Sequence, residues 1–269
     1  MPVSHNTLTL IADEVMELLA NPREVAPFSM RFPGYEIEDA YFVVNEVRRR
    51  REAEGDRVIG RKIGFTNAMA WEGYGISGPI WNYLYESTTR TLPLQEFPLG
   101  TWPNVRMETE VALGLCKAPG PDMSEDELLT CIDWAALDFE ICASVFPGWR
   151  FKVADAATTG VHVGLLLGAR NSICDARKRW AAQLASFSVT LSEAAGTRVA
   201  GGGCQVLGSP IKALGYLVRE LARYGGKPLR AGDLVTTGTL TEAMPAEAGQ
   251  RWRASASDID LDDIEVRLS

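Results

Sequence analysis

Two glutamates at alternate positions of one predicted strand are the residues best placed to do chemistry. Glu108 and Glu110 stand in the stretch Arg106-Met107-Glu108-Thr109-Glu110, between the apolar Val105 and Val111. Because strand side chains alternate between faces, both carboxylates point to the same side. Neighbouring carboxylates repel, and in a partly buried site a divalent cation such as Mg²⁺ would relieve that repulsion. The alternative is a solvated strand face, and the spacing alone does not decide between the two.

A lysine inside a second predicted strand is the next candidate. Lys62 lies in Gly60-Arg61-Lys62-Ile63-Gly64-Phe65, with glycines two positions away on either side. Small neighbours leave room for a ligand beside the amine. Near a cation, such a lysine can bind a substrate carboxylate, or transfer protons if its pKa is lowered. The alternative is an edge-strand lysine that faces water.

Two further polar residues interrupt apolar strands. Glu140 lies in Ala136-Leu137-Asp138-Phe139-Glu140-Ile141-Cys142 and is a candidate third oxygen ligand, with Asp138 on the same strand face as its rival. His162, between Val161 and Val163, is one of only two histidines in the chain. It is either a core histidine with its hydrogen bonds satisfied or, in a metal cleft, a proton carrier at neutral pH.

The elements that must position these residues predict an α+β protein. Apolar residues at helical spacing predict one helix from Leu8 to Leu19 and a second from about Ile37 to Gly55. From residue 57 the pattern changes to short strands separated by Gly and Pro, with a capping box at Ser124 and a helix after Ile211. We therefore expect a helical N-terminal region, residues 1–56, and a β-rich catalytic domain, residues 57–269.

Composition restricts the partners and the compartment. The net charge is −8 and the isoelectric point is near 5.0, so no basic surplus is available to bind nucleic acid. No apolar run approaches membrane-spanning length, and residues 1–10 lack the charge order of a signal peptide. Five cysteines without C-x-x-C spacing disfavour disulfides and thiolate zinc sites and favour reduced core thiols. We expect a cytoplasmic protein with neither membrane nor nucleic-acid partners.

Five short segments together resemble a known family. They are Lys62-Ile63-Gly64, Glu108-Thr109-Glu110, Phe139-Glu140-Ile141, the run 208–214 (GSPIKAL) and the run 231–239 (AGDLVTTGT). Their order resembles that in 2-keto-4-pentenoate hydratases, which belong with 4-oxalocrotonate decarboxylases in the fumarylacetoacetate hydrolase superfamily. The resemblance extends from about residue 32 to the end of the chain.

The resemblance implies a fold and a set of site residues. The implied fold is a mixed β-sandwich roll with a small helical N-terminal region, in a homo-oligomer. The implied cofactor is Mg²⁺ or Mn²⁺ on Glu108, Glu110 and Glu140, with a 2-oxo acid chelated through its carboxylate and keto oxygens. Lys62 matches the active-site lysine, and Thr239 matches a position that contacts a substrate carboxylate. We also expect Arg61, beside Lys62, to bind substrate, and His162 to act in catalysis.

The implied reaction is hydration of a 2-hydroxy-2,4-dienoate. Ketonisation followed by addition of water at C4 would give a 4-hydroxy-2-oxo acid, with the cation stabilising an enolate at the C2 oxygen. Decarboxylation or C–C hydrolysis of a related 2-oxo acid would use the same cation and is the alternative. A non-catalytic partner subunit is a further alternative.

Overall fold

The computed structural model describes residues 3–269 as a mixture of helices and strands. The α-helices are α1 (His5–Ala20), α2 (Phe28–Arg31), α3 (Ile37–Ala53), α4 (Trp71–Tyr74), α5 (Glu125–Thr130), α6 (Val153–Thr159), α7 (Arg177–Ser186) and α8 (Pro210–Arg223). The strands are β1 (Val58–Gly64), β2 (Ile80–Tyr85), β3 (Thr89–Thr91), β4 (Val105–Leu115), β5 (Ile132–Ala143), β6 (His162–Leu167), β7 (Asn171–Ser172), β8 (Ser188–Glu193), β9 (Arg198–Gly202), β10 (Leu234–Thr236), β11 (Met244–Pro245), β12 (Arg251–Ser257) and β13 (Ile264–Arg267). The predicted α+β class is confirmed.

Local sequence signals explain where the principal helices begin. The hydroxyl of Ser4 accepts a hydrogen bond from the backbone N–H of Thr7, which caps α1. Ser124 and Glu127 form the predicted capping box of α5. Ser209 caps α8, and Pro210 occupies its first turn, where the missing N–H costs nothing.

The strands form two sheets, and the larger one carries the candidate residues. Its path is β2-β1-β10-β4-β5-β6-β3, with β11 added to β4 and β7 added to β5. The pairs β1–β10 and β3–β6 are parallel and the other pairs are antiparallel, so the sheet is mixed. The smaller sheet has the order β13-β12-β8-β9.

The N-terminal helices share a hydrophobic core with the large sheet. Helix α1 packs on α3, and α3 packs on α6 and on β2. Buried residues of α1 and α3, such as Ile11 and Val43, belong to the same apolar cluster as Ile63 of β1 and Met107 of β4. The change from helices to strands falls near residue 57, as predicted. The division into a region 1–56 and a domain 57–269 stays a prediction.

Some elements were not predicted from the sequence. Strand β2 and helix α6 are buried on nearly all sides, so they lack the alternation of polar and apolar residues that marks exposed elements.

The expectation of core thiols is wrong for Cys116, Cys174 and Cys204, which are exposed. Among the described residues, no helix is both long and apolar enough to span a bilayer.

Candidate active site

Four carboxylates share one face of two neighbouring strands. In the antiparallel register of β4 and β5, Glu108 pairs with Glu140 and Glu110 pairs with Asp138. Directly opposed residues point to the same side of a sheet. Glu110, Asp138 and Glu140 are fully buried, whereas Glu108 is partly exposed. The structure therefore brings the three predicted ligands, and the rival Asp138, onto one face.

A large cavity opens over this face. Its volume is about 930 Å³, within the range of small-molecule sites. Its lining includes Lys62, Arg106, Glu108, Trp149 and Thr239. Charged groups and aromatic surface thus meet in one concave site, as expected of a site for a small anionic ligand.

Lys62 is held as a cation by Glu140. The Lys62 Nζ lies 3.2 Å from Oε1 of Glu140, and both side chains are buried. Burial alone would lower the pKa of Lys62, but the charge of Glu140 outweighs burial and raises it above its ordinary value. Burial likewise opposes ionisation of Glu140, but Lys62 and then His162 lower its pKa to about 2. The pair is ionised at neutral pH, so Lys62 is a donor and a positive charge rather than a base.

The other carboxylates of the face resist ionisation. Burial, followed by the charge of Glu140, raises the pKa of Glu108 to about 7. The same two causes raise the pKa of Glu110 well above its ordinary value. Glu110 Oε2 accepts a hydrogen bond of 2.8 Å from the backbone N–H of Gly238. A second positive charge at this face would let all of these groups ionise together.

The oxygens that remain free fit a divalent cation. Glu110 Oε1 and Glu140 Oε2 are buried and have no hydrogen-bond partner in the described structure. One ligand atom each from Glu108, Glu140 and Cys142 lies within 4.8 Å of the other two. Burial raises the pKa of the Cys142 thiol well above its ordinary value, so the thiol keeps its proton and is a poor ligand for a hard cation. Glu108 and Glu140 therefore offer oxygens close enough to hold a divalent cation such as Mg²⁺ or Mn²⁺, and Glu110 stays a predicted third ligand.

Asp138 occupies a different environment from Glu140. Like Glu140, it is fully buried and does not line the cavity, but neither of its oxygens has a hydrogen-bond partner in the described structure, whereas Oε1 of Glu140 contacts Lys62 and His162. Burial, followed by the charges of Glu140 and Glu108, raises the pKa of Asp138 well above its ordinary value. Because no positive charge contacts it, Asp138 is a weaker candidate ligand than Glu140, which Lys62 holds in the ionised form.

His162 touches Glu140 but does not line the active-site cavity. Its Nδ1 lies 2.8 Å from Glu140 Oε1, and its Nε2 lies 3.4 Å from the hydroxyl of Thr88. Because Glu140 is ionised, Nδ1 must be the donor in this hydrogen bond. His162 faces a separate cavity of about 390 Å³ that also contacts helices α1 and α3. The structure therefore gives His162 a position behind Glu140, from which it cannot touch a substrate in the main cavity.

Arg61 is a second expected site residue that the structure places outside the cavity. Its guanidinium is buried 4.0 Å from the ring centre of Tyr83 and donates hydrogen bonds to the carbonyls of Gly60 and Lys227. Adjacent strand residues point to opposite faces, so Arg61 points away from the side of Lys62. The expectation that Arg61 binds substrate is not supported. Thr239 does line the cavity, and its hydroxyl donates to the carbonyl of Thr241 at 3.0 Å.

The glycines beside Lys62 have different roles. A Cβ at Gly60 would lie 1.9 Å from the carbonyl oxygen of Leu234, so this glycine permits close approach of β1 and β10 and leaves no room for a ligand. Gly64 lines the cavity, and a Cβ there would lie 3.6 Å from Lys62 Nζ. Only Gly64 matches the expectation of open space beside the amine.

Sequence reasoning did not assign a role to Arg106, although the residue stands two positions before Glu108. The same alternation that places Glu108 and Glu110 on one face also places Arg106 there. Its guanidinium carbon lies 4.4 Å from the ring centre of Trp149, and both residues line the cavity.

Comparisons with curated proteins give hydratases over most of the chain. A 2-hydroxyhexa-2,4-dienoate hydratase of Comamonas testosteroni is 29% identical over 245 residues, which is 88% of each chain. A 2-keto-4-pentenoate hydratase of Paraburkholderia xenovorans is 28% identical over 243 residues, 88% of this chain and 87% of the relative. No protein-family model matches the chain.

Comparisons with solved structures show the fold. The 4-oxalocrotonate decarboxylase of Pseudomonas putida G7, complexed with magnesium and adipate, has a TM-score of 0.90 at 21% identity and covers 99% of both chains. The fumarylpyruvate hydrolase of Pseudomonas aeruginosa, complexed with Mn²⁺ and pyruvate, has a TM-score of 0.56 at 15% identity over 77% of this chain and 88% of that one. The fold is like that of solved fumarylacetoacetate hydrolase family proteins. The predicted resemblance to the 2-keto-4-pentenoate hydratase and 4-oxalocrotonate decarboxylase group is confirmed.

Proposed function

We propose that this protein is a divalent-metal-dependent hydro-lyase that adds water to a 2-hydroxy-2,4-dienoate and forms a 4-hydroxy-2-oxo acid. The observation that carries the proposal is the cluster of Glu108, Glu110, Glu140 and Lys62 beside the cavity, with buried carboxylate oxygens that lack partners. The hydratases similar over most of the chain support the reaction class.

The glutamates would hold Mg²⁺ or Mn²⁺, and a bound cation would supply Lewis acidity where negative charge develops on the C2 oxygen of the substrate. Lys62 keeps its proton because of Glu140, so its ammonium group donates hydrogen bonds into the cavity and attracts the substrate carboxylate. The hydroxyl of Thr239 lies in the same cavity and would donate to a substrate oxygen in exchange for its hydrogen bond to the carbonyl of Thr241.

Two further features would support the reaction from around the site. His162 holds Oε1 of Glu140 through Nδ1, which leaves Oε2 as the unpartnered oxygen, so His162 is a positioning residue. Apolar rings of Phe65, Trp149 and Phe151 line the cavity and reduce the access of bulk water to the substrate.

A hydration assay tests the proposal. Protein stripped with EDTA is reloaded with Mg²⁺ or Mn²⁺ and incubated with 2-hydroxypenta-2,4-dienoate in ¹⁸O-labelled water. We expect loss of the dienol absorbance and a 4-hydroxy-2-oxo acid labelled at C4, only in the metal-loaded sample. Equal turnover before and after reloading, or no labelled product from folded and metal-loaded protein, would contradict the proposal.

Two variants of one strand face provide the matched control. Glu140→Gln removes a proposed ligand, whereas Asp138→Asn makes the same change two residues away on the same face, opposite Glu110 rather than Glu108. Isothermal titration with Mn²⁺ should show binding to Asp138→Asn and none to Glu140→Gln. The reverse result would assign the third ligand to Asp138.

Decarboxylation of a 2-oxo acid is the second candidate. The observation in its favour is the TM-score of 0.90 to a 4-oxalocrotonate decarboxylase over 99% of both chains, although at 21% identity this likeness concerns the fold. Incubation of the metal-loaded protein with a 2-oxo-3-enedioate and measurement of CO₂ separates the two reactions. Release of CO₂, together with no labelled hydration product, would favour decarboxylation.

The assembly and the compartment stay predictions. We propose a homo-oligomer in the cytoplasm whose partner is a small 2-oxo acid. Light scattering of the purified protein after size exclusion tests the assembly, because a monomeric mass would contradict it.

A further inference from the structure

A second cavity, called the rear cavity here, lies between the N-terminal helices α1 and α3 and the strands β2 and β6. Its volume is about 390 Å³, and apolar side chains such as Val15, Leu19 and Trp102 form part of its wall. None of the residues that line it also lines the active-site cavity. The two cavities are therefore separate, although His162 in the wall of the rear cavity contacts Glu140.

The hydroxyl of Tyr85 is a polar group in this wall without a protein partner. Tyr85 is buried, and within residues 3–269 its hydroxyl makes no hydrogen bond, but the oxygen remains accessible from the cavity. The hydroxyl of Tyr83, two residues earlier on β2, donates to Asn45 and accepts from the backbone N–H of Lys227. Burial raises the pKa of Tyr85 above its ordinary value, so this side chain keeps its proton at neutral pH. Because buried polar groups normally have partners, an occupant of the cavity is the natural partner of Tyr85.

The outer ring nitrogen of His162 is a second polar atom with an incomplete hydrogen bond. Nδ1 donates to Glu140, so Nε2 of the neutral imidazole is an acceptor. The hydroxyl of Thr88 has one proton and two acceptors, Nε2 at 3.4 Å and the carbonyl of Tyr85 at 3.3 Å. One proton cannot serve both acceptors, and both distances are long for an O–H donor. The wall thus presents a hydroxyl donor and a nitrogen acceptor that one ligand hydroxyl can complete together.

The charged residues of the wall do not suit an anion. Arg51 is paired with Asp56 at 2.6 Å, and its guanidinium carbon lies 3.5 Å from the ring centre of Tyr85. Glu54 also lines the cavity and adds a negative charge. Among the described residues of the wall, a carboxylate would therefore meet acidic groups and no cation that is free to pair with it. The occupant that fits is a neutral molecule.

We propose that the rear cavity binds a small neutral compound with an apolar body and one hydroxyl group, such as a phenol. The ligand hydroxyl accepts a hydrogen bond from Tyr85 and donates one to Nε2 of His162, while the ring packs against the apolar wall. The volume is sufficient, because an apolar cavity of roughly 150 Å³ already holds benzene. This ligand class differs from anionic 2-oxo acids, so the inference goes beyond the proposed function and does not depend on it.

Three fluorinated probes of similar size test the site by ¹⁹F NMR titration at neutral pH. They are 4-fluorophenol, 4-fluorotoluene and 4-fluorobenzoate, which present a hydroxyl, a methyl and a carboxylate. Each is titrated into Mg²⁺-loaded protein with and without oxalate, which is expected to occupy the active-site cavity. We expect 4-fluorophenol to bind roughly tenfold more tightly than 4-fluorotoluene, since two neutral hydrogen bonds together have about this effect. Oxalate should leave this affinity unchanged, and 4-fluorobenzoate should bind most weakly.

Two variants of β2 provide the matched control, because each removes one tyrosine hydroxyl. Tyr85→Phe should weaken binding of 4-fluorophenol by roughly three- to tenfold and leave 4-fluorotoluene unchanged, without lowering the midpoint of urea unfolding. Tyr83→Phe should keep both affinities and lower the midpoint, because the hydroxyl of Tyr83 already has partners in the protein.

Several results would overturn the inference. They are no binding of 4-fluorophenol, equal binding of the phenol and toluene probes, tightest binding of the benzoate, and an unchanged affinity for 4-fluorophenol in Tyr85→Phe. Displacement of 4-fluorophenol by oxalate would place the probe in the active-site cavity and also refute the site. An equal loss in both variants would show a general disturbance of β2 instead. The labelled-water assay contains none of these probes, so failure of the rear-cavity site and failure of hydration are separately observable.

Discussion

Replacement of Glu108 by Gln should stabilise the metal-free protein at neutral pH while it weakens metal binding. In the folded protein, burial and the charge of Glu140 raise the pKa of Glu108 from its ordinary 4.5 to about 7. At about 1.4 kcal/mol per pKa unit, this shift corresponds to about 3 kcal/mol between protonated and ionised states. Because the folded state holds the proton more tightly than the unfolded state, the contribution of Glu108 to stability is greatest below pH 4.5. It decreases as the pH rises and is lost above pH 7.

The other carboxylates of the face are present in both the wild type and Glu108→Gln. Glu110 and Asp138 have pKa values raised well above their ordinary values, and the stabilising ionisation of Glu140, with a pKa of about 2, is lost only at lower pH. The difference between wild type and Glu108→Gln therefore isolates Glu108. It should change by about 3 kcal/mol in favour of the variant between pH 4.5 and pH 8.

Urea unfolding in EDTA, at several pH values across this range, measures the difference. Addition of Mg²⁺ should then reverse the order. A ligand at a hundred times its Kd stabilises the folded state by about 2.7 kcal/mol, and the variant should lose most of this gain. If the difference between wild type and variant does not depend on pH in EDTA, or if Mg²⁺ stabilises both equally, the reasoning is refuted.

Three further changes test individual parts of the site. Lys62→Met should lower kcat by roughly 100-fold or more, because the cavity loses its ammonium group. The affinity for Mn²⁺, measured by calorimetry, should stay within a few-fold of the wild-type value. Unchanged turnover would contradict this prediction. His162→Phe should weaken Mn²⁺ binding by roughly 10- to 100-fold. His162→Asn should weaken it less, because Asn keeps a hydrogen-bond donor for the buried Glu140. Equal affinities in both variants and the wild type would refute the positioning role of His162. Gly238→Ala should cost about 1–3 kcal/mol of stability in urea unfolding, because φ of this residue is +100° and the added Cβ would lie 2.4 Å from Thr66. An unchanged unfolding midpoint would show that this position does not require glycine.

Alternation along single strands made part of the site predictable from sequence. It placed Glu108 and Glu110 on one face of β4, and the structure agrees. The same rule places Arg61 and Lys62 on opposite faces of β1, and Arg106 on the face of the glutamates. The sequence alone was therefore enough to argue against a substrate-binding role for Arg61 beside Lys62.

Contacts between strands could not be predicted in the same way. The register that sets Glu108 opposite Glu140 depends on the pairing of β4 with β5, which local patterns do not fix. The position of His162 depends on β6 lying beside β5, which turns its ring toward a cavity formed with the N-terminal helices. A polar residue in an apolar strand therefore indicates a partner, but the sequence does not say on which side of the sheet that partner lies.

The central claim is that Glu108, Glu110 and Glu140 together hold one divalent cation, and that a 2-oxo acid binds this cation through two oxygens. Anomalous diffraction from crystals soaked with Mn²⁺ and oxalate tests it most directly. We predict one manganese peak in the large cavity, with carboxylate oxygens of all three glutamates and two oxygens of oxalate as ligands. Manganese bound away from Glu140, or bound only through Cys142 or Asp138, would contradict the account.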